Sequence, residues 1–112
     1  MWEIEAIVRS VIWQLVSKDY DGVVRRGPHG RSAAEDIRRV IEEYGRTLVM
    51  PPASGYERLI RRYHSEDPDD PTWRVDAPLW TKEEGRSDLE IRLTIVFGPG
   101  DPKVTLRDVL VP

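Results

Sequence analysis

Leu89, Ile91, Leu93, Ile95 and Phe97 alternate with Asp88, Glu90, Arg92, Thr94 and Val96. Successive side chains of a strand point to opposite faces, so this stretch predicts a strand with one face on a core and the other toward water. Trp73, Val75, Ala77 and Leu79 repeat the pattern against Arg74, Asp76, Pro78 and Trp80, with Pro78 placing that strand at an edge or a bulge. Gly98-Pro99-Gly100-Asp101-Pro102 turns the chain into a last strand. There Val104 and Leu106 keep one phase and Val109 and Val111 the other, which predicts a β-bulge near Arg107 and Asp108. The C-terminal third therefore reads as an antiparallel meander.

The N-terminal part carries a different period. Ile4, Ile7, Val8, Val11, Ile12, Leu15 and Val16 recur at steps of three and four, predicting an amphipathic helix over about Trp2 to Ser17. Trp13 falls off the stripe and reads as an edge-of-core residue in preference to an exposed one that would hint at a partner surface. Lys18 to Gly22 reads as a turn, Val23-Val24 as packing down, and Arg25 to Arg31 as an exposed loop. A second helix starts at the capping box Ser32-Ala33-Ala34-Glu35, runs through Ile37, Val40, Ile41 and Tyr44, and stops at Gly45. Arg46 to Met50, closed by Pro51-Pro52, is an extended connector or short strand. Tyr56 to Tyr63 has both helical and alternating spacing and is assigned as a strand, followed by an acidic, proline-bounded hairpin loop from Ser65 to Pro71.

Two helices followed by strands predict an α+β fold, in which N-terminal helices pack on one face of a curved antiparallel β-sheet within a single domain over 1–112. The space between the first helix and the sheet is the expected pocket.

Composition narrows the function. Seventeen Lys and Arg against 20 Asp and Glu give net −3, short of the basic excess of a nucleic-acid binder. No apolar run is long enough for a membrane span or a secretory signal, so a cytoplasmic location is expected. Cysteine is absent, which removes disulfides, Cys-based zinc sites and thiol nucleophiles. Arg outnumbers Lys 14 to 3, Asn is missing and Gln occurs only at position 14, a profile matched by heat adaptation or, for the Arg, by coding bias.

Motifs are few. His29 and His64 lie in loop-like surroundings without a helical His partner, so no zinc-protease pattern exists. Counting an EF-hand loop from Asp67 puts Thr72 at position six and Pro78 at twelve, where Gly and Glu are needed, so the acidic loop reads as a solvated turn. Gly98-Pro99-Gly100 opens no helix and is not a phosphate-binding motif. No catalytic residue, metal site or cofactor is assigned. The Arg pairs at 25–26, 38–39 and 61–62 sit near carboxylates and read as salt-linked surface.

Three stretches resemble an uncharacterised bacterial domain family: Glu42 to Pro52, Leu79 to Leu89, and Arg107 to Val111. The Asp19-Tyr20-x-Gly22 turn is similar to the same place in many NTF2-like proteins, and the helix-then-sheet order resembles the NTF2-like or cystatin-like cone fold. That resemblance implies a long helix in the concavity of a curved sheet. It assigns no activity, because shared architecture does not carry chemistry.

Two functions follow as expectations. The first is a non-enzymatic protein-binding module, of immunity or accessory type, holding an unknown protein partner through the outer sheet face and the Trp80 loop. Its candidate residues are Trp80, Arg86 and Arg92, since Trp and Arg dominate interface hot spots. The second is an NTF2-like pocket of isomerase or dehydratase type, with Asp76, Asp108 or Tyr20 turned inward. A homodimer through the open face suits both, and neither involves nucleic acid or a membrane.

Overall fold

The computed structural model describes residues 4–30 and 33–112. Three helices come first: α1 (Ile4–Val16), α2 (Tyr20–Val24) and α3 (Ala33–Tyr44). After β1 (Leu48–Val49), a single 3-10 turn (Tyr56–Leu59) leads into β2 (Arg61–His64), β3 (Thr72–Thr81), β4 (Gly85–Val96) and β5 (Lys103–Leu110). The fold is α+β, with a five-stranded antiparallel sheet in the order β1-β3-β4-β5 and β2 paired with β3 as well. The expected helix start at Trp2 and the capping Ser32 lie outside the described residues.

The helical stripe of α1 is its buried face: Ile7, Val8, Val11, Ile12 and Leu15 are all at most 2% exposed. Trp13 corrects the edge-of-core expectation, being 57% exposed. At 100° per residue it lies about 170° from the centre of the stripe, directly opposite the core. Lys18 ends α1 in the left-handed region at φ 61°, and the Asp19 amide reaches back to the Gln14 carbonyl at 2.8 Å. The predicted turn at 19–22 is instead the start of α2, capped by the Asp19 carboxylate, which accepts from the Gly22 amide at 3.0 Å.

The sheet's inner face is the alternating set Val75, Ala77, Leu79, Leu89, Ile91, Leu93 and Ile95, each at most 1% exposed, joined by Val104, Leu106 and Val109. These residues and the α1 stripe form one apolar cluster. The space expected to be a pocket is therefore filled with side chains. The phase slip in β5 is real: Arg92 pairs with Asp108 while Leu93 pairs with Leu106, leaving Arg107 as the extra residue.

β3 is not an edge strand, which corrects one of the two readings of Pro78. β4 runs along one side; β2 covers Trp73 to Asp76 and β1 covers Trp80 and Thr81 on the other. Between β1 and β2 a gap faces Pro78, where its missing N–H costs nothing. Tyr56 closes the gap, donating its hydroxyl to the Pro78 carbonyl at 2.6 Å. The segment 56–63 is accordingly half 3-10 turn and half strand, not the continuous strand that was expected.

The loop 25–30 is not simply exposed either. It straps the outer edge of β5: the Val104 amide donates to the Arg26 carbonyl at 3.0 Å, and the Leu106 amide donates to His29 Nε2 at 3.1 Å. An amide can only donate, so Nε2 is the acceptor and Nδ1 carries the proton, directed at the Gly27 carbonyl 3.1 Å away. Arg26 anchors the strap to α1 through Gln14 and through Ser10 Oγ at 2.8 Å. Replacing His29 with Ala is expected to cost about 1 kcal/mol in urea denaturation, the net worth of the lost hydrogen bond. Faster exchange of the Leu106 amide checks the assignment.

Candidate functional site: the outer face of the sheet

Facing away from the helices, the sheet presents its polar positions in rows that cross the strands. Register places Arg61 beside Asp76, Asp76 beside Arg92, and Arg92 beside Asp108, one residue from each of β2, β3, β4 and β5. Opposite residues of an antiparallel pair share a face, so the four form one row of alternating charge. The next row is Tyr63, Arg74, Thr94 and Thr105, and on the other side Pro78 lies beside Glu90.

The charges interlock within the face. Arg61 reaches Glu90 at 2.5 Å and Asp76 at 3.7 Å, and Arg92 Nε lies 4.0 Å from Asp76 Oδ1. The two carboxylates are well covered, with side chains 16% and 13% exposed, while Arg61 and Arg92 keep 52% and 38% of theirs. Arg92 Nε and Thr94 Oγ1 are buried without a hydrogen-bond partner. Among the described residues Asp108 and Arg74, both exposed, make no ion pair. The face thus holds a fixed charge pattern with unused capacity at its middle and at one end.

Trp80 marks the rim of this face. It is half-buried rather than exposed, meeting Tyr56 edge to face at 6.0 Å, and its register partner Arg86 is exposed. The turn that follows Trp80 is held down, not free. Glu83 accepts from the Thr47 amide at 2.7 Å and its hydroxyl at 2.9 Å, which lowers its pKa, the backbone bond first. Glu84 receives the Tyr44 hydroxyl at 3.0 Å and that of Thr81 at 3.0 Å, and Ser87 ties Tyr44 to β4.

The two inward carboxylate alternatives are not realised. Asp76 sits in the outer ion network and Asp108 is exposed beside Arg92, so neither carboxylate enters the interior. Tyr20 lies apart from the other five candidates. It borders a cleft of about 190 Å³ between the ends of α1 and α3 and β1, with Lys18, Glu42 and Arg46. Burial raises its pKa, with Glu42 adding and Arg38 opposing. A wider, open hollow of about 610 Å³ lies between the strap and the β4–β5 ladder, bordered by His29, Thr94, Lys103 and Arg107, none of them a candidate.

The surface Arg expectations hold in two of three cases. Arg38 bridges Glu35 and Glu42, Arg39 meets Asp36 and Arg62 meets Glu57, so the pairs at 38–39 and 61–62 are salt-linked, whereas at 25–26 Arg26 bonds the uncharged Gln14 and Ser10 instead of a carboxylate. In the acidic loop Asp67 accepts from the Asp69 amide and Asp70 from the Thr72 amide, each at 2.9 Å, which makes them turn caps. The Thr72 bond leads the lowering of the Asp70 pKa. No described helix is long and apolar enough to cross a membrane.

Sequence reading missed Arg61 and the strap. Arg61 was visible only as half of an Arg pair, although its position two residues before Tyr63 sets the β2 phase; His29 had no periodic signal.

A family profile described as a domain of unknown function, DUF7668, matches residues 12–112. The chain belongs to DUF7668. Comparisons with curated proteins and with solved structures gave no match. The DUF7668 match begins within α1 and spans α2, α3 and the whole sheet, so all six candidate residues lie inside it.

Proposed function

We propose that this DUF7668 chain is a protein-binding module without chemistry of its own, and that the outer sheet face is its working surface. The carrying observation is the row Arg61, Asp76, Arg92 and Asp108, held in register by four strands. Charges fixed on a rigid sheet select a partner and its orientation more than they add raw affinity. The filled contact between α1 and the sheet favours this reading over an NTF2-like pocket, and an immunity or accessory role agrees with it. The NTF2-like architecture itself is supported only by the helix-then-sheet order and the bulged β5.

The second reading keeps one specific support, the Tyr20 cleft. Its volume is below the ~300–1,000 Å³ usual for small-molecule sites.

Immobilised wild-type chain, an R74S/R92S variant and a Tyr20→Phe variant separate the two. The module predicts a protein retained by wild type and by Tyr20→Phe but lost with R74S/R92S. A metabolite that raises the melting temperature of wild type and of R74S/R92S, but not of Tyr20→Phe, would overturn it.

A further inference from the structure

We propose that the outer face is occupied by a second copy of this chain, related by a twofold axis that lies between β3 and β4 and nearly parallel to them. This rests on the binding-module reading and names its partner. A face-to-face twofold reverses the order of strands across the contact while keeping position along them. The row of alternating charge then meets its own reverse: Arg61 faces Asp108 of the second copy, and Asp76 faces its Arg92.

The neighbouring rows obey the same operation. Arg74 meets Thr94, and at the rim Trp80 meets Arg86, a cation–π pairing. Each of these facing pairs is either opposite in charge or includes an uncharged residue. Placing the axis on a strand fails. Along β3 it sets Asp76 on Asp76 and Arg61 on Arg92; along β4 it sets Arg92 on Arg92 and Asp76 on Asp108. An axis between β2 and β3 or between β4 and β5 also pairs opposite charges but overlays only part of the row, so the axis between β3 and β4 is the one that pairs all four charged residues.

Overall charge does not oppose the contact. The chain is net −3, yet this face carries Arg61, Arg74, Arg86, Arg92 and Lys103 against Asp76, Asp88, Glu90 and Asp108. Strands ~4.8 Å apart and about nine residues long give a face of roughly 600 Å² per copy. That is toward the lower end of specific interfaces, so the dimer is expected to be concentration-dependent and weakened by salt.

The test is sedimentation of the full chain across micromolar to millimolar concentrations, with R61D, with D108R and with their equimolar mixture. Wild type is expected to dimerise. Each single reversal puts like charges together and should weaken association at least ~10-fold. The mixture should recover it as a 1:1 heterodimer, because Asp at 61 then faces Arg at 108 and the native pair completes the other end. A wild type that stays monomeric, or a mixture that does not recover, overturns the second-copy proposal. A spin label on a cysteine at Asp88 covers the case of a reversal that misfolds. Broadening of outer-face amides of β3 and β4 in a wild-type partner, which has no cysteine to carry the label, supports the twofold, and broadening confined to the helices overturns it. A monomer that still loses a different protein on R74S/R92S substitution keeps the module reading and removes only the dimer.

Discussion

Tyr56→Ala is expected to remove about 3–5 kcal/mol of stability, the range for truncating a buried aromatic side chain. Tyr56 is fully buried, and it is a joint for three parts of the fold. Its hydroxyl satisfies the Pro78 carbonyl in the gap of the sheet, its ring meets the edge of Trp80, and the Arg9 guanidinium lies 5.1 Å above it. Arg9 in turn carries Glu5 at 3.0 Å and the Pro52 carbonyl at 2.8 Å, fastening α1 to the segment before the 3-10 turn. Tyr56→Phe keeps the ring and leaves the Pro78 carbonyl unpaired, so about 1–3 kcal/mol is expected there. The two variants separate packing from hydrogen bonding in urea denaturation. A Tyr56→Phe variant as stable as wild type would show that the Pro78 bond contributes nothing.

The same residue sets an alkaline limit. Burial, only partly opposed by Arg9, pushes the Tyr56 phenol well above its ordinary value of 10.0. A pKa raised by folding gives stability that is complete below the unfolded value and is lost as pH rises toward the folded one. Wild type should therefore lose stability above pH 10 more steeply than Tyr56→Phe.

Gly27→Val is expected to cost roughly 3–4 kcal/mol, from overpacking and from the two amide bonds of the strap. A Cβ at Gly27 would sit 2.6 Å from the Val104 carbonyl oxygen and 2.9 Å from its carbon, and strand backbone cannot yield as a side-chain tip can. The strap must lift, releasing the Val104 and Leu106 amides together. Gly30→Ala is the control, since a Cβ there meets nothing within 4 Å, and its effect should stay within ~0.5 kcal/mol. Amide exchange at 104 and 106 distinguishes strap loss from global destabilisation.

What was legible in the sequence depended on regular spacing. The run Leu89 to Phe97 placed β4 on the right face, and the slip from Leu106 to Val109 located the bulge, because a period of two registers every residue. The same period puts Asp76 and Arg92 on the outer side of their strands, so the inward reading of Asp76 ran against its own phase, whereas spacing alone could not fix the facing of Asp108 beside the bulge. Tyr56 to Tyr63 defeated the same logic because the backbone changes type at Ile60, so neither period describes the segment. Trp13 was misplaced by treating nearness to a stripe in sequence as nearness in space. The strap was invisible for another reason: a loop bonding an edge strand through its backbone, as Arg26 does, asks nothing periodic of its side chains.

The divided edge formed by β1 and β2 has a consequence for behaviour at high concentration. An exposed edge strand can recruit further strands and seed cross-β growth. Here that edge offers two residues, then a tyrosine wedge, then four residues with both Arg61 and Arg62 exposed. At the opposite margin the strap occupies the Val104 and Leu106 amides. Neither margin presents a run long enough to template a foreign strand, so this sheet-rich chain should withstand crowding without forming fibrils.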